Sequence, residues 1–192
     1  KECLMKNLTV VAFVVALFAS VSLVSAEEIK SGLQAGDFIG PFNVTKLAGA
    51  EGDGVAVGAN LCYRCKNGGR PQVMVFTRSS DKQVVELVQK LDKSLNENST
   101  KNLRAFVNVM GDDKASAKKE AKKLAANSKA KEVPFVVPNE VENGPGDYGL
   151  NQKAAVTVIL AAGGEVKANH AFASAKDVAV DAVIADLAKI LN

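Results

Sequence analysis

Cys62-Tyr63-Arg64-Cys65 is the one stretch of this chain whose residue types and spacing suit chemistry at sulfur. Two cysteines three positions apart close a disulfide without long-range folding. Such a pair can therefore cycle between dithiol and disulfide. The thiolate is the reacting form, so a reactive cysteine needs its negative charge stabilised. Arg64, Lys66 and Arg70 put positive charge beside the pair, and Tyr63 stands where it can pack over it. Gly68, Gly69 and Pro71 argue against a helix starting at Cys65, and so against the unpaired amides of a helix N-terminus as the stabilising device.

Three readings of the pair stay open. The first is a redox-active dithiol, with Cys62 and Cys65 as the exchanging sulfurs and Arg64 and Lys66 supporting thiolate. The second is a structural disulfide that ties down a glycine-rich entry segment. Its ring is so small that loop entropy contributes only about 2 kcal/mol. The third is a metal site. Zinc takes four ligands, and once Cys3 is set aside with the N-terminal leader read below, only His170 remains as a further soft ligand beside Cys62 and Cys65. No metal is expected on that count, and no cofactor is implied.

Other residues carry blander readings. His170 sits near the end of an expected strand and reads as a part-exposed histidine rather than a proton shuttle. Asp112-Asp113 reads as a helix cap rather than a metal pair. The lysine-rich run from Lys114 to Lys131 faces mostly alanine, too thin an apolar stripe for membrane insertion, and reads as a solvated helix face. Asn43-Val44-Thr45 and Asn98-Ser99-Thr100 match the glycosylation sequon. Nothing in the spacing supports a Ser-His-Asp arrangement, a phosphate-cradling Gly-Lys loop or a haem attachment.

The elements that must position the cysteines follow from hydrophobic patterning. Gln72 to Thr77 is a continuous apolar run, as expected of a strand covered on both faces. Ser80 or Asp81 caps a helix whose stripe is Val84, Val85, Leu87, Val88, Leu91 and Leu95. Leu103 to Met110 is a second strand. A second helix follows with Ala117, Ala121, Leu124 and Ala125 on one face. Val133 to Val137 is a third strand, and Asn143 to Gly149 is turn-rich. Ala155 to Leu160 and Glu165 to Asn169 are strands joined by Gly163-Gly164, a hairpin turn. Asp177 to Leu191 reads as a closing helix. Ahead of all this, Phe42 to Thr45 reads as a short strand and Ala48 to Asn60 as a loop. Alternating strands and helices force parallel neighbours. The expectation is an α/β chain with a mixed central sheet and helices on both faces.

The N-terminus reads as a secretory leader. Lys6 gives a positive start, Leu8 to Val24 is nearly all apolar, and Val24-Ser25-Ala26 offers small residues for cleavage. Residues 1–26 are thus assigned to a signal peptide, with Lys1 to Leu4 ahead of Met5 an over-called start. What remains has a normal size for one domain. The formal charge of +3 falls by one when the leader takes two Lys and one Glu with it. That balance, with no aromatic-rich basic face, excludes a nucleic-acid partner. It leaves an exported, periplasmic or extracellular protein with no membrane attachment after cleavage. An oxidising compartment permits the disulfide.

The order of elements resembles the thioredoxin fold, in which a Cys-x-x-Cys near a strand–helix–strand pattern is a redox motif. Leu33-Gln34-Ala35-Gly36-Asp37 and Pro41-Phe42-Asn43-Val44 look like the opening of the redoxin branch. Gly69-Arg70-Pro71-Gln72-Val73-Met74-Val75-Phe76 looks like its first core strand. Tyr148-Gly149-Leu150 and Gly163-Gly164-Glu165-Val166 are similar to a segment and the terminal hairpin of peroxiredoxins. The whole resembles exported bacterial thioredoxin-like proteins with Cys-Tyr-x-Cys ahead of the core strand. The resemblance implies a thioredoxin-like core over 71–192, with 27–70 a glycine-rich extension carrying the cysteines. It implies thiol–disulfide exchange with a protein thiol or disulfide partner, Cys62 attacking and Cys65 resolving. A non-catalytic binding or scaffold domain with a structural Cys62–Cys65 disulfide is the alternative. Two departures stand out. The family's attacking cysteine follows the first core strand, where this chain has Thr77-Arg78-Ser79-Ser80-Asp81-Lys82. The family's cis-proline is replaced by Lys153-Ala154-Ala155-Val156. Peroxidase activity of the usual kind is not expected.

Overall fold

A computed structural model describes residues 29–192. The expected leader and Cys3 lie outside the described residues. The strands are β1 (Val44–Ala48), β2 (Asn60–Leu61), β3 (Gln72–Thr77), β4 (Arg104–Val109), β5 (Phe135–Pro138), β6 (Val156–Ala162) and β7 (Glu165–Phe172). The helices are α1 (Tyr63–Asn67), α2 (Lys82–Glu97), α3 (Lys114–Ser128), α4 (Val180–Ala185) and α5 (Ala188–Leu191).

All seven strands form one sheet in the order β2-β1-β5-β4-β3-β6-β7. β3, β4 and β5 run parallel, joined by α2 and α3 as crossovers. β6 and β7 close one side antiparallel, and β1 and β2 close the other. Every residue of β3 is buried, as its unbroken apolar run requires of a strand covered on both faces. The expected α/β class and mixed sheet hold.

Side chains alternate across the sheet, and the two faces are covered differently. Val73 and Val75 point to a core shared with Leu87 and Leu91 of α2, Leu124 of α3, Val183 of α4 and Ile190 of α5. Met74 and Phe76 point to a second core with Phe42, Val44, Tyr63, Phe106 and Tyr148. That face is covered by α1, by a 3-10 turn at Gly146–Tyr148 and by the chain ahead of β1. Four helices thus lie on one face and the short α1 on the other. Residues 44–61, assigned from sequence to an extension, contribute two strands of the shared sheet.

The first crossover helix has Asp81 at its N-cap, without the expected side-chain cap bond. Asp113 does cap α3, accepting from the amides of Ala115 and Ser116 at 2.7 and 2.9 Å. Three boundaries differ from the sequence reading. β1 begins later and runs to Ala48. β7 continues to Phe172, paired with Val156. The closing helix is broken: a 3-10 turn at Ala175–Asp177 leads into α4, and α5 follows a second tightening. There the amides of Leu187, Lys189 and Ile190 donate three residues back, to Ile184, Asp186 and Leu187. Asp186 at this break accepts from Lys189 at 2.9 Å and lies 3.0 Å from His170 Nε2.

Candidate functional site

The cysteines bracket the first turn of α1. Cys62 is its N-cap, in extended conformation, and Cys65 lies inside it. A helix therefore does begin here, against the sequence expectation. Gly68 does not prevent the helix; with φ +61 it terminates it, and its amide donates to the carbonyls of Arg64 and Cys65. The short helix fits between Cys62 and Gly68.

Cys62 and Cys65 are joined by a disulfide, with Cα atoms 5.2 Å apart. The Cys65 amide donates to Cys62 Sγ at 3.0 Å. Cys65 is exposed and Cys62 half-buried. Among the described residues no group of three or more His, Cys, Asp or Glu stands together as a metal site.

Tyr63 turns inward. It is 3% exposed, and its ring stacks on Phe106 with centroids 5.7 Å apart. Its hydroxyl donates to Asp53 Oδ2 at 2.6 Å. Asp53 Oδ1 accepts from Lys46 Nζ at 2.8 Å and from the Val55 amide at 2.8 Å. Lys46 is 1% exposed and also donates to the carbonyls of Ala50 and Val55. A buried charge thus sits two hydrogen bonds from the residue between the cysteines. Burial works against the Asp53 carboxylate, but Lys46, Tyr63 and Val55 together hold it below its ordinary range. Burial pushes the Tyr63 hydroxyl far above its ordinary range, and the Asp53 charge pushes it further. Tyr63 stays protonated and keeps donating.

The basic residues are partly committed elsewhere. Arg64 Nε donates to the Ile39 carbonyl at 3.0 Å. Arg70 donates to the carbonyls of Asn67 and Lys66, closing the end of α1. Lys66 is exposed. A cavity of about 410 Å³ opens under α1, lined by Tyr63, Lys66, Asn67, Arg70, Arg104 and Glu132 among others.

α1 stands at the end of the sheet where β3 begins. The Gly163 amide, in the β6–β7 turn, donates to the Gly69 carbonyl at 2.9 Å. The segment that follows β3 lies at the other end of that strand, about 20 Å away for six extended residues. There Ser80's amide donates to Glu120 at 2.8 Å, while Ser80 Oγ and Arg78 Nε are buried without a partner. His170 is placed on neither site: its ring stacks on Phe172 and its Nε2 faces Asp186. The sequence names Cys62, Tyr63, Arg64, Cys65 and Lys66 as candidates, and all five lie on α1 or its cap. It does not single out Lys46 and Asp53, which carry no periodic signal in a glycine-rich stretch.

A scan of protein-family models and a search of curated proteins find no match to the chain. Solved structures do match. One described as thiol:disulfide interchange protein DsbE, from Chlorobium tepidum, aligns at 17% identity with a TM-score of 0.54, covering 81% of this chain and 99% of that one. AhpC of Mycobacterium tuberculosis aligns at 16% identity with a TM-score of 0.59, covering 83% and 99%. Thiol peroxidase from Chromobacterium violaceum aligns at 13% identity with a TM-score of 0.52, covering 82% and 87%. The sheet order, the crossovers and these likenesses make the fold of this chain thioredoxin-like, of the type seen in redoxins and peroxiredoxins.

Proposed function

We propose that the chain is an exported thiol–disulfide oxidoreductase that acts through Cys62 and Cys65 on protein thiols. The observation that carries this reading is an oxidised pair held at the surface of a thioredoxin-like fold, with Cys65 exposed. A structural bridge has no need of an accessible sulfur, whereas exchange does. Cysteine neighbours with positive charge, Arg64 and Lys66, support the reduced thiolate form. The named neighbours in structure are described as a disulfide interchange protein and a thiol peroxidase, and only the first chemistry suits a chain with no cysteine after β3.

The decisive measurement is the equilibrium of the pair with a glutathione couple. Its potential is expected to lie above about −300 mV, the level below which structural disulfides usually fall. A lower value would favour the second reading, a scaffold domain whose disulfide is structural. One observation argues against a structural need for the bridge: Tyr63 is anchored through Asp53 to buried Lys46, so α1 is fixed to the sheet with or without its disulfide. Export is tested separately. The apolar run ending at Val24-Ser25-Ala26 predicts a mature chain beginning at Glu27, and the intact mass of the secreted protein reads it directly. A mass retaining residues 5–26 would favour an anchor.

A further inference from the structure

We infer that Cys65, not Cys62, is the sulfur that accepts an incoming thiol, so that the pair oxidises dithiols with Cys62 as the leaving group. This rests on the exchange reading above and gives it a direction. Analogy with the first cysteine of such pairs assigns the attack to Cys62, but two observations here point the other way.

The first is access. Cys65 is exposed and Cys62 is half-buried at the N-cap. The second is the hydrogen bond from the Cys65 amide to Cys62 Sγ at 3.0 Å. A donor on sulfur favours its charged form. Exchange is fastest when the attacked sulfur is reachable and the leaving thiolate is the better stabilised one. Here both conditions select the same direction. The opposite polarity would bring the nucleophile in at the less exposed residue and lose the donor on the leaving group.

The step is balanced as follows. A substrate thiolate attacks Cys65 Sγ, the Cys62–Cys65 bond breaks, and its electron pair leaves on Cys62 as thiolate. The substrate is now joined to Cys65. A second thiolate of the same substrate attacks the substrate's own sulfur in that mixed disulfide and expels Cys65 as thiolate. The substrate dithiol has lost two electrons and two protons, and Cys62 and Cys65 have gained them as thiols. The substrate class is a polypeptide with two nearby thiols.

The test uses the oxidised full chain and reduced glutathione as the single-thiol probe. A short pulse is quenched in acid and free thiols are blocked with a maleimide. Cleavage after Arg64 separates the two cysteines, and mass spectrometry reads which carries glutathione. Glutathione on Cys65 with maleimide on Cys62, favoured by about tenfold over the reverse, is expected. Glutathione on Cys62, or equal labelling, would overturn the polarity and leave the exchange reading standing. Glutathione on neither cysteine would overturn both.

Discussion

The hydroxyl of Tyr63 ends on part-buried Asp53, and Asp53 neutralises Lys46, whose own side chain is almost out of solvent. The residues that hold α1 and the residues that would do chemistry are therefore different. Tyr63→Phe keeps the stacking on Phe106 but removes a hydrogen bond to a charged group, a loss of about 2 kcal/mol. Asp53→Asn leaves Lys46 charged and buried, and should cost more, about 3 kcal/mol. Urea denaturation reads both, and the order of the two is the prediction. The sign with pH follows from Asp53. Its carboxylate is held below the ordinary value of 3.8, so the stability it contributes is fully present above that value. It is lost as pH falls through the lower folded value. The melting temperature of the native chain should drop across that window, and Asp53→Asn should flatten the drop. An unchanged acid slope in the variant would remove Asp53 as its source. Cys62→Ser should behave in the opposite way to Asp53→Asn. It should abolish exchange with a glutathione couple while costing no more than about 2 kcal/mol, because the lost ring is small.

At the scale of elements, the loop after β1 sets where Asp53 meets Tyr63, and Gly49 governs that loop. Gly49 has φ +73, and a Cβ added there would stand 2.1 Å from the Val133 carbonyl. Gly49→Ala must therefore either strain the turn or push β1 from the start of β5. A loss of about 2 kcal/mol or more is expected in denaturant. An unchanged midpoint would mean that the loop moves aside freely. The large elements were legible in the sequence because their burial leaves a pattern: β3 and β4 as unbroken apolar runs, α2 as a stripe, Gly163-Gly164 as a turn with φ +63 and +86. Lys46 was not, because a lysine in a glycine-rich stretch reads as solvated. Only a carboxylate seven residues on and two carbonyls make its burial affordable. α1 was missed because glycines that stop a helix look, in sequence, like glycines that forbid one. The break before α5 was missed because Val183, Ile184, Leu187 and Ile190 keep helical spacing across it. The cysteines themselves were plain to read. Their unequal exposure was not, since it depends on which side of α1 faces the sheet.

Across the whole molecule, the cysteine pair and the hydroxyl-bearing segment stand at opposite ends of β3. The cysteine pair stands where β3 begins, beside the β6–β7 turn. The last residue of β3 and the segment after it bring together Thr77, Ser79 and Ser80, with Thr77 Oγ1 donating to the Ser79 carbonyl at 2.9 Å. A strand of six buried residues separates them, so neither end can lend a group to the other. Peroxide reduction requires a thiolate that becomes a sulfenic acid and is then resolved by a second thiol. The end after β3 offers hydroxyls, whose protons are held far too tightly for that role at neutral pH. At the other end both sulfurs are already spent in one bond. Once that bond is reduced, the amide donor falls on Cys62, the half-buried residue, and Cys65, the exposed one, is without it, so access and thiolate character fall on different residues. Peroxide consumption coupled to a thiol reductant should therefore run no faster than with the reductant alone. Cys62→Ser should leave that background unchanged. Turnover well above the background, lost in Cys62→Ser, would show that the reduced pair unites the two properties on one sulfur and would overturn the separation argued here.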